Sequence, residues 1–563
     1  MSGVDWLVLV ITISCIVCYG LWKSRGAKNI EGFLLADKTL PWYHVALSVM
    51  ATQASAITFL SAPGQAYTDG MRFVQFYFGL PLAMIVLCVS FIPVFKNLNV
   101  YTAYEYLEKR FDLKTRSLTA FLFLIQRGIS TGFTIYAPSI VLSTILNLDI
   151  RYTILIIGFV VILYTVYGGT KAVSYTQLLQ MCFIFSGLFY AAFVVIHLLP
   201  ANVGVREAMH IAGKMNKLNA VDFKFDLSNK YNIWSGIIGG FFLQLSYFGT
   251  DQSQVGRYLT GSTVKQSRIG LIMNGFVKIP MQFFILWIGV LVFVFYQFQP
   301  APLFFNKLEV QRIENSSYAG QYHALEDQYQ LQQKKRGKIA EALVSAVQQQ
   351  DENRIALAKK DLQSAQQDVE NTRLQATVLM KKNDSSADTN DSNYIFLSFV
   401  TQHMPRGLIG VLIAVIFLAS MGSTASGLNS LASTTVVDIY KRLVHKEAVN
   451  RNYLGMSRWA TIGWGLFSMS VALYAGKMGN LIEAVNVLGS LFYGTILGIF
   501  VVAFYMKKVK GNAVFYGALL AETFIIWAWI TNLTAFLWLN VIGCLLVMLF
   551  SRMLSSFRVF SEN

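Results

Sequence analysis

The sequence predicts an all-α membrane protein with about thirteen transmembrane helices. Three observations lead there. Hydrophobic residues make up 55% of the chain and charged residues only 13%, against about 25% charged in an average soluble domain. Apolar runs of at least about 18 residues recur, each able to cross roughly 30 Å of hydrocarbon as a helix. Basic residues gather in the short connections between those runs.

The runs fall near 4–22, 44–69, 73–95, 116–146, 152–168, 172–198, 232–255, 269–298, 406–430, 456–475, 481–506, 512–531 and 533–551. The first has no basic leader and runs into Gly20-Leu21-Trp22-Lys23 rather than a small-residue cleavage site, so it reads as a retained helix and not a secretory signal. Lys23, Arg25 and Lys28, then Lys109, Arg110, Lys114 and Arg116, then Lys171, Arg257, Lys265 and Arg268, then Lys441, Arg442, Lys446 and Arg451, and finally Lys507, Lys508 and Lys510 all fall on one side. By the positive-inside rule that side is cytoplasmic. The expected protein is multi-pass in a plasma membrane (the inner membrane of a bacterium), with its N-terminus outside and its C-terminus inside. The net charge of +16 then serves topology and contact with anionic lipid rather than nucleic acid.

All five cysteines, Cys15, Cys18, Cys88, Cys182 and Cys544, lie in the apolar runs and offer no disulfide framework. Cys15-x-x-Cys18 has redox spacing without a thioredoxin-like setting, and reads as packing.

From about 300 to 395 the pattern gives way to a polar, Gln-rich insertion on the extracytoplasmic side. Ile355, Leu362, Val369 and Ala376 recur every seven residues, and Ala358, Ala365, Thr372 and Leu379 repeat the interval three residues later. These are a and d positions of a coiled-coil-like helix. A second helix over about 318–349 carries Leu325, Ile339, Leu343 and Val347 on its apolar side, and Asp351-Glu352-Asn353 offers a turn or cap. An antiparallel hairpin is the preferred arrangement, beside a single long helix or self-association through 318–382; an extracytoplasmic protein partner is a further expectation. Asn383–Asn393 reads as a flexible linker, and Met209–Asn219, in the outer segment 199–230, as a short amphipathic helix.

Polar residues inside the membrane carry the chemistry. Leu418–Ser433 holds seven Ser, Thr and Asn side chains, which in hydrocarbon are either packing glue between helices or the lining of a site. In the second run, Ala51–Thr58 and then Ser61-Ala-Pro-Gly64 place hydroxyls and a helix breaker at membrane depth. A broken helix frees backbone carbonyls, which suit a small cation; the bland alternative is a kink satisfied by neighbouring helices. Arg127 lies about eleven residues into the run 116–146, with Ser130, Thr131 and Thr134 on its face. Its planar fork matches a carboxylate, either on a solute or elsewhere in the bundle. The six histidines show no zinc spacing and no phosphate-binding loop is present. No catalytic residue is therefore assigned, no enzyme activity expected, and energy would come from an ion gradient, with sodium favoured by hydroxyl and carbonyl ligands.

Thr102-Ala-Tyr-Glu-Tyr-Leu-Glu-Lys-Arg-Phe111, Tyr167-Gly-Gly-Thr-Lys-Ala-Val173, Gly249-Thr-Asp-Gln-Ser-Gln-Val-Gly-Arg-Tyr258, Pro405-Arg-Gly-Leu-Ile-Gly410, Leu428-Asn-Ser430 and Asp438-Ile-Tyr-Lys441 occur in this order. Together they make the chain resemble the sodium/solute symporters, which carry sugars, sialic acid, monocarboxylates, proline and iodide. Tyr136-Ala-Pro138 is similar to the monocarboxylate, vitamin and iodide branch.

The resemblance implies two inverted five-helix repeats, 44–198 and 232–506, the second interrupted by the 300–395 insertion. An N-terminal extra helix (1–30) and two C-terminal helices (512–551) flank them. It implies a sodium ion on the backbone oxygens of Ala51, Ala54 and Ala419 and the hydroxyl of Ser423. The family usually has two adjacent hydroxyl residues there, and here Gly422 precedes Ser423, so one ligand is missing. Where some members bind a second sodium through an aspartate, this chain has Gln177, with Ala425 nearby, so a single coupling ion is expected. Solute-facing positions map onto Gln53, Ser55, Thr58 and Phe73, with Arg127 near the place where carboxylated sugars are held. Neither a cofactor nor a transition metal is implied beyond sodium. The expected function is sodium-coupled symport of a small carboxylated solute such as a sialic acid or monocarboxylate. A neutral sugar or polyol is the alternative, and a non-transporting sensor signalling through the insertion is the rival of another class.

Overall fold

A computed structural model of the chain describes residues 1–24, 38–98, 100–385, 387–444 and 450–557, and leaves the side chains of residues 21, 23, 24, 168–172 and 450–452 undescribed. Among the described residues the fold is helical, with one isolated bridge between Leu40 and Gly261. Helix α1 (Gly3–Ser24) leads into a broken helix made of α2 (Trp42–Gln53) and α3 (Ala56–Asp69). After the helical stretch Gly70–Asn97 come α4 (Leu113–Leu146) and α5 (Ile150–His197). A second broken helix consists of α6 (Gly240–Thr250) and α7 (Gln252–Leu259), and α8 (Val264–Phe298) follows. Beyond it lie α9 (Ala319–Gln348), α10 (Glu352–Asn383) and α11 (Ser392–His403). The chain ends with α12 (Leu408–Thr434), α13 (Asn450–Ala475), α14 (Leu481–Tyr505), α15 (Gly511–Ile530) and α16 (Phe536–Leu554).

Ten helical stretches among the described residues are long and apolar enough to span a membrane. All thirteen runs read from the sequence are helical, and the difference has local causes. The run 44–69 is divided at Ala54–Ser55 and the run 232–255 at Asp251, while α13 is too rich in Ser, Thr and Gly to qualify by composition. No loop separates the runs 152–168 and 172–198, because the backbone is helical from Ile150 to His197. The motif Tyr167–Val173 lies mostly outside the described side chains.

Helices α2, α3, α4, α5, α8 and α12 surround the centre, and α12 is buried almost throughout from Ile409 to Thr434. Close approach there depends on small residues. Pro63 of α3 lies between Gly289 of α8 and its own neighbour Gly64, which faces the Ser392 carbonyl of α11; a Cβ on either glycine would collide with backbone. The cysteines are free, Cys15 and Cys18 facing outward from α1.

Helices α9 and α10 form an antiparallel hairpin. Ile355, Leu362, Val369 and Ala376 are buried in its seam with Ala365, Thr372 and Leu379, and Asp351 caps α10 by accepting from the Asn353 and Arg354 amides at 3.1 Å each. The hairpin is fastened to the bundle at its base. The Gln333 side chain pairs with both the amide and the carbonyl of Ala301, at 2.7 and 3.1 Å, and Arg336 donates to the Tyr296 carbonyl.

Two local expectations change. The linker expected at 383–393 is anchored at Asp391, which binds Arg373 at 2.6 Å and accepts the Phe305 amide at 2.8 Å, and Ser392 already begins a buried helix. The helix expected at 209–219 runs from Val205 to Lys214. Glu207 caps it by accepting the Gly204 amide at 3.0 Å, and Asn216, at φ 59°, turns the chain after it.

Candidate functional site

The two broken helices meet α4, α12 and α14 at the middle of the bundle. At the first break Ala54 (φ −81°, ψ 77°) and Ser55 (φ −83°, ψ 173°) leave helical geometry. The Ser55 amide turns to the Gln53 carbonyl at 3.0 Å, so the Ala51 carbonyl loses its regular helical donor. Ser55 starts α3 without any side-chain cap bond.

Across from this break stands α12. Ser423 is buried and donates to the Ser420 carbonyl at 3.1 Å, which leaves its lone pairs open. Ser420 and Thr424 are spent on α4, donating to the Thr134 carbonyl at 2.7 Å and the Thr134 hydroxyl at 2.9 Å. The Gln177 amide nitrogen reaches Thr52 and Ser426 at 3.1 Å and the Gly422 carbonyl at 3.3 Å, while its oxygen accepts from Ser48 at 2.6 Å. Gln177 thus turns its donors toward the hydroxyl cluster, which opposes a second cation there.

The glycine at 422 has a steric reason. A Cβ at that position would stand 2.5 Å from Gln180 Oε1, a buried oxygen without a hydrogen-bond partner. The side chain absent at 422 is replaced in space by a carbonyl oxygen from α5.

Beside the break lies a cavity of ≈ 90 Å³ lined by Gln53, Ser55 and Thr58 of the first broken helix and by Gln126, Arg127 and Ser130 of α4. Gln244 and Tyr247 of α6 and Asn486 and Tyr493 of α14 add to its polar wall. Of the solute-facing residues read from the sequence, Phe73 is not in the wall. It stacks on Phe76 with centroids 5.5 Å apart, and Phe76 and Tyr77 line the cavity instead. The face shared by Arg127, Ser130, Thr131 and Thr134 divides, Ser130 going to the cavity and Thr134 to α12.

Arg127 is not free. Its Nη2 donates to Asp251 Oδ2, and to Tyr493 Oη at 3.1 Å; Tyr493 in turn donates to the same carboxylate oxygen at 2.7 Å. Asp251 Oδ1 caps α7, accepting the amide and hydroxyl of Ser253 at 2.8 and 2.6 Å. One carboxylate therefore ends the second break and holds the arginine. Arg127 Nε, and the side-chain oxygens of Gln53, Gln126 and Gln244, remain buried without partners.

Asp251 and Lys278 are buried ionisable residues near the cavity wall that sequence reading did not single out. Lys278 is fully buried in α8, 5.9 Å from the Tyr77 ring centroid, and its ammonium has no hydrogen-bond partner. Both were open to a simple signal, since an ionisable residue inside an apolar run is expensive and marks a site by default.

At the far end of α4 from the hairpin a second ionic cluster closes the bundle. Arg116, only 1% exposed, binds Asp438 at 2.6 Å and Glu108 at 2.5 Å, and Thr102 donates to Asp438 at 2.8 Å.

A family model described as the sodium:solute symporter family matches residues 33–316 and 376–521. The unmatched stretch between falls within the α9–α10 hairpin. The sodium/glucose cotransporter of Vibrio parahaemolyticus is 24% identical over 539 residues, 93% of this chain and 84% of that protein. The sodium/sialic acid symporter of Aliivibrio fischeri is 24% identical over 553 residues, 97% of this chain and 91% of that one. The human sodium/iodide cotransporter is 31% identical over 294 residues, 52% of this chain and 45% of that protein, so the chain matches less than half the length of that relative. Among solved structures, a substrate-bound, outward-open Na+-coupled sialic acid symporter superposes with a TM-score of 0.74 at 20% identity, covering 98% of this chain and 97% of that chain.

Proposed function

Because this chain belongs to the sodium:solute symporter family, we propose that it is a secondary transporter, not an enzyme, and couples entry of one sodium ion to uptake of a small organic anion. Sodium sits at the first break on the carbonyls of Ala51, Ala54 and Ala419 and the Ser423 hydroxyl. Gln180 Oε1 supplies the oxygen that Gly422 lacks. The solute lies against Gln53, Ser55, Thr58 and Arg127.

One observation carries the preference for an anion: Arg127 lines the cavity and, although its Nη2 is paired with Asp251, its Nε is buried without a partner. A carboxylate solute can accept from that N–H. The sodium/sialic acid and sodium/iodide relatives support the reading. Coupling follows if sodium and solute each bind one conformation better than the other.

A neutral sugar or polyol is the second reading, favoured by the engagement of Arg127 with Asp251, which leaves it less charge to offer. Uptake of labelled sialic acid, short monocarboxylates and hexoses into proteoliposomes, with and without a sodium gradient, separates the two. Sodium-driven uptake of an acid is the expected result, and uptake indifferent to sodium sinks the coupling. Arg127→Gln combined with Asp251→Asn removes both charges without stranding either. It is expected to lose acid uptake, whereas hexose uptake surviving in that variant would favour the neutral solute.

A further inference from the structure

Arg257, on α7, differs from the buried arginines Arg116 and Arg127, which hold carboxylates, and from Arg336, which donates to the Tyr296 carbonyl and to Gln366 Oε1 at 2.9 Å. Arg116 is paired with Asp438 and Glu108, and Arg127 with Asp251. Arg257 is 3% exposed and donates to the Ser174 hydroxyl at a long 3.4 Å, and among the described residues no carboxylate lies within ion-pair distance of it. A guanidinium does not deprotonate in proteins, and none of the described side chains supplies Arg257 with a negative charge.

The space it faces is small and polar. Arg257, Gln252 and Ser253 of α7 and Ser426, Asn429, Ser430 and Ser433 of α12 line a half-open cavity of ≈ 20 Å³, room for one water-sized body. Asn429 is 3% exposed and both of its amide atoms lack partners. Ser430 and Ser433 donate to carbonyls of their own helix at 2.7 and 2.9 Å, and their hydroxyls can rotate into the cavity. Gln252 is already committed to the Tyr101 carbonyl and the Ala103 amide.

We infer that Arg257, Asn429, Ser430 and Ser433 form a site for one small monovalent anion of the halide class. The sign follows from the guanidinium, which repels any cation. The size follows from the cavity, which admits a single atom and not an organic acid. Water would satisfy Asn429 but bring no negative charge to the guanidinium, which an anion does.

The test is thermal unfolding of the full chain in detergent, at constant ionic strength, in choline salts so that the sodium site is not engaged. Replacing gluconate by chloride is expected to raise the unfolding temperature of the wild type by several degrees and to saturate. Asn429→Asp places a carboxylate beside the guanidinium; this variant is expected to unfold in gluconate no lower than the wild type does in chloride, and to gain nothing from chloride. Arg257→Gln, if it folds, also loses the increment. A wild type indifferent to chloride overturns the proposal, as does an increment that persists in Asn429→Asp. A rise with formate but none with chloride also overturns it, and reassigns the cavity to a carboxylate in transit.

Discussion

The two broken helices at the centre of this protein solve the same problem in opposite ways. The break between α2 and α3 has no ionic side chain. Its residues are Gln53, Ala54 and Ser55, its cap makes no side-chain bond, and the Ala51 carbonyl is left without its helical donor. The break between α6 and α7 is filled by Asp251, whose two oxygens take up Ser253, Arg127 and Tyr493. One break keeps an open carbonyl, where we propose that a cation binds, and the other is completed by the protein itself. The difference teaches that a broken membrane helix is not by itself an ion site. What decides is whether the exposed backbone and its side chains already have partners.

The largest effect is expected from unbalancing the closed break. Asp251→Asn keeps a good N-cap residue but strands Arg127, and removing one partner of a buried pair costs about 3–5 kcal/mol. Thermal unfolding and transport should both suffer severely. Adding Arg127→Gln should recover a large part of the stability, giving a coupling energy well above that of non-interacting sites. If the single and double variants unfold alike, Asp251 and Arg127 are not a coupled pair and the contrast between the breaks fails.

A smaller effect is expected at the open break. Ser423→Ala removes one of the two side-chain oxygens proposed for sodium, while its hydroxyl's present bond to Ser420 is an ordinary intrahelical one. Losing a ligand to a charged ion is worth about 1.5–3 kcal/mol, so the sodium concentration for half-maximal uptake should rise tenfold or more. Stability in choline should hardly move. Gly422→Ser tests the same place from the other side. The added Cβ displaces Gln180 Oε1, the movable end of a side chain, so stability should change little while the sodium dependence of uptake shifts. A Gly422→Ser variant with the sodium dependence of the wild type would mean that Gln180 Oε1 does not complete the ion site.

Much of this contrast was legible in the sequence, and the rest was not for identifiable reasons. Hydropathy runs, the heptads of α10 and the hydroxyl-rich α12 are periodic signals that survive any packing. The break at Ala54 could be suspected from polar residues followed by Pro63 and Gly64, although the helix interrupts one turn or more before that proline and runs through it. The pairing of Arg127 depends on a residue 124 positions away, and no spacing rule reaches that far. The sequence allowed a carboxylate partner, on a solute or in the bundle, without naming it. Phe73 and Phe76 differ by one turn of helix, and only the packing of Gly70–Tyr77 against the cavity decides which aromatic ring faces it. Asp391, read as part of a linker, is fixed by Arg373 and the Phe305 amide, contacts formed between segments that only the tertiary structure brings together.

The smallest effect sharpens the comparison most cleanly, because it touches the closed break without touching its charge. Ser253 gives Asp251 Oδ1 both its amide and its hydroxyl. Ser253→Ala removes the hydroxyl bond alone and leaves the α7 cap, Tyr493 and Arg127 in position. A hydrogen bond to a carboxylate inside the bundle is worth about 1.5 kcal/mol at the low end. A modest fall in unfolding temperature is therefore expected, with sodium dependence of uptake unchanged. The same removal at the open break, in Ser423→Ala, should give the mirror-image result: sodium dependence altered and unfolding in choline unchanged. If Ser253→Ala shifts the sodium dependence as far as Ser423→Ala does, the two breaks share one ion site, and the division between a break completed by the protein and a break completed by sodium is wrong.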